Sequence, residues 1–427
     1  MNKIKTKHLL SILIAFSMLC YAIRGKVGAI LITILNLILL VYLIREIIIK
    51  KSFSNVYALF IFAFALMFGI IRTSNFEYYL FIGYLTAILV LLNNKLDIYE
   101  KLWNILGKIS LFEAFGIFIQ KLFPNVYYSF MSIFLPSSVV LSIKNRLIEG
   151  YYTGFTREIS FTMFLIIIGL GIYIYDILKD DKREKQNKDL NYKIKKYIKV
   201  AFLFGALFIS GKRATLIIFL LTVFAIQFIK SKNTLKILKY LAIGGMGVFL
   251  LYITIPIWSK IGALSRIVEL LNYIKDKDII GITNGRTVIF QNAIDLWNNN
   301  PVIGIGWGNF KYLVSQSLWY SGYDVHNCYL QILCENGIVG AIFFYILTIV
   351  SIYRFVKCVK KTRDDGDNSK YKLAIIAAYV QIFFIIYSFV EPILYEYTDY
   401  IIYFISINIT SILLFKYEKQ KEKKIMA

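Results

Sequence analysis

Charge is scarce in this 427-residue sequence: 18% of residues are charged, against about a quarter in ordinary soluble domains. Proline is scarce too, with 5 in the chain, while hydrophobic residues make up 58% and aromatics 17%. So little polar surface excludes an ordinary water-soluble fold of this size. The remaining solvent is lipid, in which each spanning helix needs roughly 20 apolar residues. Cysteine is sparse and shows no metal or disulfide spacing: Cys328 and Cys334 fall on different helix faces, and Cys20 and Cys358 stand far from them. Histidine is limited to His8, among N-terminal basic residues, and His326. Basic residues precede the first apolar run, as in signal peptides, but no small-residue cleavage site follows. The first helix is therefore expected to be retained.

The net charge of +23 raises nucleic acid as a partner, and the placement of the charge argues against it. Basic residues cluster in short segments between apolar runs. Spans are expected near 9–23, 27–44, 55–71, 76–92, 102–122, 158–178, 197–210, 214–229, 238–257, 327–353, 373–390 and 399–415. The N-terminus and segments 45–51, 93–101, 179–199, 230–239, 354–372 and 416–424 hold 33 of the 49 Lys and Arg residues, against 15 in the opposite segments. By the positive-inside rule the first set, and with it both termini, is cytoplasmic. The expected fold is all-α and polytopic, with about 12 transmembrane helices. Residues 1–257 would carry helices 1–9, 258–325 a large helical extracytoplasmic loop, and 326–427 helices 10–12. The basic run 179–199 reads as a solvated loop beside anionic lipid.

Two outer loops stand out. In 123–157 the apolar stretch Met131–Leu135, closed by Pro136, is too short to span and suggests a partly buried or interfacial segment. In 258–325, Ile261, Leu264, Ile267, Val268, Leu271 and Ile274 recur at helical spacing, so 259–275 is expected to be an amphipathic helix on the membrane or the bundle. A second helix is expected from about Asn284 to Asn298, with Val288, Ile289, Leu296 and Trp297 on related faces, stopped by Asn299-Asn300-Pro301. The Gly304-Ile305-Gly306-Trp307-Gly308 stretch follows no strand, so a turn that packs Trp307 is the expected meaning rather than a nucleotide loop.

The residues able to carry chemistry gather on the outer side. Asp324 is expected to cap the tenth helix. His326 lies at its mouth, and Asn327, Gln331 and Glu335 recur every four residues, which predicts one polar stripe along its outer half. Polar groups are expensive there and point to function, with a buried network joining helices as the alternative. Arg213, in the tight turn Ser210-Gly211-Lys212-Arg213, runs against the positive-inside bias. Arg286 opposes the dipole at the start of the second loop helix, and Arg157 lies beside Glu158 at the outer end of the sixth span. Several arginines on one side favour an anion site, because guanidinium forks suit phosphate oxygens.

This constellation resembles the superfamily of O-antigen ligases and Wzy-type polysaccharide polymerases. The resemblance is carried by Asn284-Gly285-Arg286, by Asn300-Pro301-Val302-Ile303-Gly304-Ile305-Gly306, by His326-Asn327 with Tyr329-Leu330-Gln331, and by Glu335-Asn336-Gly337 through Gly340. The Ser210–Arg213 turn is similar to the family's second signature, with Lys212 where members often have a small polar residue. The resemblance implies a bacterial inner-membrane glycosyltransferase, independent of metals and cofactors, with its active site outside the cytoplasm. Its donor would be an undecaprenyl-diphosphate-linked glycan and its acceptor a sugar hydroxyl. A chain-length regulator or flippase is an expected further partner. It implies Arg213 and Arg286 for the diphosphate and His326 as catalytic base; Arg157, an arginine on the same side, is expected to join the diphosphate site. Asn327, Gln331, Glu335 and Lys212 would support the site or face the acceptor. Polymerase is the expected activity and ligase the alternative. A transporter predicts internal repeats and helices broken at mid-membrane, and a non-catalytic scaffold leaves the His326 region without a required role.

Overall fold

The computed structural model describes residues 11–20, 33–39, 96–178, 190–231, 262–283, 285–315 and 324–426, with a few isolated positions between them. The spans expected at 55–71, 76–92 and most of 27–44 and 238–257 lie outside the described residues, as does Asn284. The described residues are helical, without strands. Among the described residues, five helices are long and apolar enough to cross a membrane: Leu96–Leu122, Arg213–Lys230, Cys328–Asp364, Asn368–Tyr387 and Tyr397–Gln420. Ser11–Cys20 and Ile159–Tyr175 are shorter apolar helices where further spans were expected. The chain divides into two compact units, Met1–Leu35 with Lys95–Glu269 and Asp367–Val380, and Asn36–Asn94 with Leu270–Gly366 and Gln381–Ala427.

In the first unit the helices Leu96–Leu122, Ile159–Leu178 and Leu190–Ile209 pack together. Small residues let the first two approach: Gly169 faces Ser110 so closely that a Cβ there would collide with it. The Ser110 hydroxyl reaches the Leu106 carbonyl of its own helix at 2.8 Å and the Leu165 carbonyl of the neighbour at 2.6 Å. The 123–157 segment opens with a pair of short helices, Pro124–Phe134 and Ser137–Ile148, bent apart at Leu135-Pro136. Pro124 opens the first, where its missing N–H costs nothing. Met131 and Leu135 are buried with Tyr127, Val140, Ile143 and Phe155 in a small core of the hairpin's own, while Val126, Ile133, Leu141 and Ile148 face outward. The apolar stretch expected to be partly buried or interfacial is thus partly buried, with Met131 and Leu135 in the core and Ile133 exposed.

The second unit is built on the helices Tyr397–Met426, Cys328–Asp364 and Arg286–Asn299. Phe384 stacks on Tyr403 at 4.0 Å, and Gln381 donates to the Ser406 carbonyl at 3.1 Å. Ile289 and Ala293 turn inward to meet Phe310, Val314, Val325 and Cys334, whereas Val288 is exposed. The tenth span is not one continuous helix as the apolar pattern suggested. It breaks at Gly337, whose φ of 64° and ψ of −168° belong to glycine. The break leaves carbonyls and N–H groups unpaired on either side, and the 301–306 segment closes them. Ile305 and Gly306 donate to the Cys334 and Glu335 carbonyls at 3.1 and 2.8 Å, and Ile338 and Val339 donate to the Pro301 and Val302 carbonyls at 2.9 and 3.2 Å. A side chain on Gly337 or Gly304 would strike the backbone of the opposite segment.

Candidate active site

The glycine-rich segment is held from below by one carboxylate. Glu335 is fully buried, and its Oε2 accepts from the Gly308 N–H at 2.9 Å and from the Tyr395 hydroxyl at 2.5 Å. Its Oε1 accepts from the Phe310 N–H at 3.3 Å and from Gln331 at 3.4 Å. Trp307 is buried as expected, stacked on Tyr395 with ring centroids 4.3 Å apart. Gln331 also accepts from the Val325 N–H and donates to Asp324, both at 3.3 Å, and Asp324 pairs with Lys311 at 2.9 Å. The stripe predicted from spacing therefore exists at Gln331 and Glu335, as a clamp on two loops.

The cap of this helix differs from expectation. It is Asn327, whose side chain accepts from the Leu330 N–H at 3.0 Å. The cause is the residue before it: His326 sits in the left-handed region at φ 56°, a conformation costly for a residue with a Cβ, so the chain enters the helix later than Asp324. Among the described residues, Lys277 is the other non-glycine with positive φ.

His326 and Arg286 meet at an acid that the sequence patterns did not single out. Glu391 follows the Asn368–Tyr387 helix and is buried. Its Oε1 lies 3.3 Å from Arg286 Nη2, and its Oε2 lies 3.7 Å from His326 Nδ1. Arg286 also donates through Nη1 to the Val390 carbonyl at 2.7 Å. Arg286 opens its helix directly after Gly285, which takes φ 74° as the N-cap, so the guanidinium leaves from the first turn. The turn bearing Glu391 is tied back to the start of the His326 helix. Cys328 donates its N–H to the Ser388 carbonyl at 2.8 Å and its thiol to the Glu391 carbonyl at 3.2 Å.

The remaining expected residues belong to the first unit. The Ser210–Arg213 turn is set by Gly211 at φ 78°, pressed against the Gly150 carbonyl. Tyr152 donates to the Ser210 carbonyl at 3.2 Å, which joins this turn to the 149–158 loop. Lys212 donates to the Ser160 hydroxyl, and Arg213 donates to the Arg266 carbonyl at 3.0 Å. Arg266, also missed in the sequence, donates to Glu269 at 2.9 Å and to the Glu149 carbonyl, and lies over the Tyr151 ring at 4.9 Å. Burial pulls its guanidinium down, but Tyr151, Glu269 and Glu149 outweigh that and leave it above its ordinary value. Arg157 is half-buried, while the neighbouring Glu158 pairs with Arg146 at 2.7 Å. Beneath the loop, Gln120 accepts from the Thr153 and Gly154 N–H groups at 2.8 and 3.2 Å, and Glu113 accepts from the Phe155 N–H at 3.0 Å.

Residues 198–345 match the O-antigen ligase family. The match takes in the Ser210–Arg213 turn, Arg266, Arg286, the glycine-rich segment, His326 and Glu335, and ends before Glu391. It bears out the resemblance to O-antigen ligases and polysaccharide polymerases read from the motifs. With the apolar helices, it marks a multi-pass membrane protein of polysaccharide biosynthesis. No curated protein matches the chain.

Proposed function

We propose that this chain is a membrane glycosyltransferase that polymerises undecaprenyl-diphosphate-linked oligosaccharide repeat units on the extracytoplasmic face of the bacterial inner membrane. The observation that carries the reading is the grouping of His326, strained and half-buried, with Arg286 around the buried Glu391. In the reaction, the acceptor hydroxyl oxygen bonds to the anomeric carbon of the donor sugar as the bond to the diphosphate breaks. His326 takes the hydroxyl proton, and undecaprenyl diphosphate leaves with the electron pair. Arg286, Arg213 and Arg157 are assigned to the diphosphate, where fixed guanidinium groups stabilise the charge that develops on the leaving group. Lys212 and Arg266 support the Arg213 turn. Gln331, Glu335 and Asn327 hold the loops and the helix start around His326.

Ligation to another acceptor uses the same chemistry and remains the alternative. The break at Gly337 is the kind of feature a transporter would show. Its backbone groups, however, are bonded to the 301–306 segment and are not left to line a pathway. Deleting the gene and profiling surface glycan separates the two transferase activities. A polymerase leaves single repeats attached to the acceptor and removes long chains, a ligase removes all attached glycan, and unchanged glycan contradicts both. Cysteines introduced at Arg183 and Gln291 test the orientation: they should label from the cytoplasm and from outside respectively, and labelling of both from one side overturns it.

A further inference from the structure

We infer that Glu391 is a positioning residue that fixes the tautomer of His326, so that Nε2 is the nitrogen that takes the acceptor proton. The inference rests on reading His326 as the base. A neutral imidazole carries one N–H, and the partner of one nitrogen decides which nitrogen is left as acceptor. Here the partner is a carboxylate, which accepts and cannot donate when ionised, facing Nδ1 at 3.7 Å. The proton is therefore favoured on Nδ1, and the lone pair is left on Nε2.

Three further features adapt Glu391 to this role. It is buried, so its charge acts at full strength on near neighbours. Its other oxygen is engaged by Arg286 Nη2 at 3.3 Å, which offsets the cost of burying the acid and orients the carboxylate plane. Its backbone is anchored to the His326 helix through the Cys328 thiol, with the Leu394 N–H donating to the same sulfur at 3.4 Å. The guanidinium assigned to the donor diphosphate and the imidazole assigned to the acceptor hydroxyl are thus set by one side chain. At 3.7 Å the contact to His326 is longer than a hydrogen bond.

The test uses the full-length protein in lipid nanodiscs, labelled with 15N-histidine. The chain has two histidines, so a His8→Gln variant assigns the spectrum. Wild-type His326 is expected as the Nδ1–H tautomer, and Glu391→Gln should shift it toward Nε2–H or a mixture. With a lipid-diphosphate-linked glycan as donor, Glu391→Gln should lower kcat at least roughly 10-fold and at most about 10⁴-fold, the loss seen when the carboxylate beside a histidine base becomes an amide, with a smaller change in acceptor KM. Glu391→Asp keeps the charge and should restore the Nδ1–H tautomer and part of kcat. It also serves as the comparison should the glutamine variant not fold. An Nε2–H tautomer in the wild type, or an unchanged tautomer and kcat in folded Glu391→Gln, overturns the inference. Failure of the wild type to transfer glycan contradicts the proposed function and leaves the tautomer result standing on its own.

Discussion

Two buried glutamates on two long apolar helices each hold the backbone of a loop, and the loops end in different states. In the first unit Glu113 and Gln120, seven residues apart, accept from the N–H groups of 153–155. In the second unit Glu335 and Gln331, four residues apart, accept from Gly308, Phe310 and Val325. Both spacings bring two polar side chains to one helix face, and both give the loop the fixed acceptors it cannot find in lipid. The first loop closes over an apolar core and is bonded through Tyr152 to the turn bearing Lys212 and Arg213. The second is stitched into a helix break and ends at a strained histidine. A polar stripe in a membrane helix is therefore not by itself a catalytic signal. The side chains proposed to act lie at the edges of the clamped loops.

The largest effect expected from this contrast is at the edges. His326→Ala should lower transfer by roughly 10²–10⁴-fold in a folded protein, and His326→Gln should fail as well, because an amide cannot take the proton. Steady-state turnover of monodisperse variants checks it. Arg286→Ala and Arg213→Ala should each cost roughly 10²–10³-fold, as when one group stabilising a developing anion is removed. Lysine at either position should recover part of the loss, since a point charge replaces a fork.

The clamps themselves should behave differently. Glu335→Gln should lower stability by about 1–3 kcal/mol, because one of its two accepting oxygens becomes a donor, and Glu113→Gln should lower it by less, because its amide oxygen still accepts from Phe155, both as read in thermal unfolding. The kinetic effects should separate. Glu113→Gln should act on donor KM through the Arg213 turn, and Glu335→Gln on kcat through the His326 helix. Equal kinetic effects from both would remove the distinction between the loops. Gly337→Ala should cost about 1–3 kcal/mol for a backbone conformation reserved for glycine. The smallest effect is expected from Cys328→Ser, which keeps a donor toward the Glu391 carbonyl and should leave kcat within a few-fold.

Much of this was legible in the chain. The long apolar runs place the described helices, because in lipid length and hydropathy decide the element. The motif pieces around Pro301–Gly306 and Glu335–Gly337 were visible separately, but that they are one unit was not. Their junction is a set of backbone hydrogen bonds, and backbone groups leave no residue-specific trace. Asp324 was a reasonable cap by residue type and lost to Asn327, because His326 turns left-handed and Asp324 is engaged by Lys311 and Gln331. Glu391 stood 65 positions beyond His326, just after an apolar run, and its one signal was an acid in a short turn of an apolar chain. Arg266 was concealed in an amphipathic pattern that read as a helix lying on the membrane or the bundle.

The most direct test of the account is in vitro transfer by the purified protein, using a lipid-diphosphate-linked repeat unit as both donor and acceptor. The wild type should build chains longer than one repeat and release lipid diphosphate, and folded His326→Gln should do neither. A well-folded His326→Gln protein with near-normal turnover would contradict the assignment of His326 as the base.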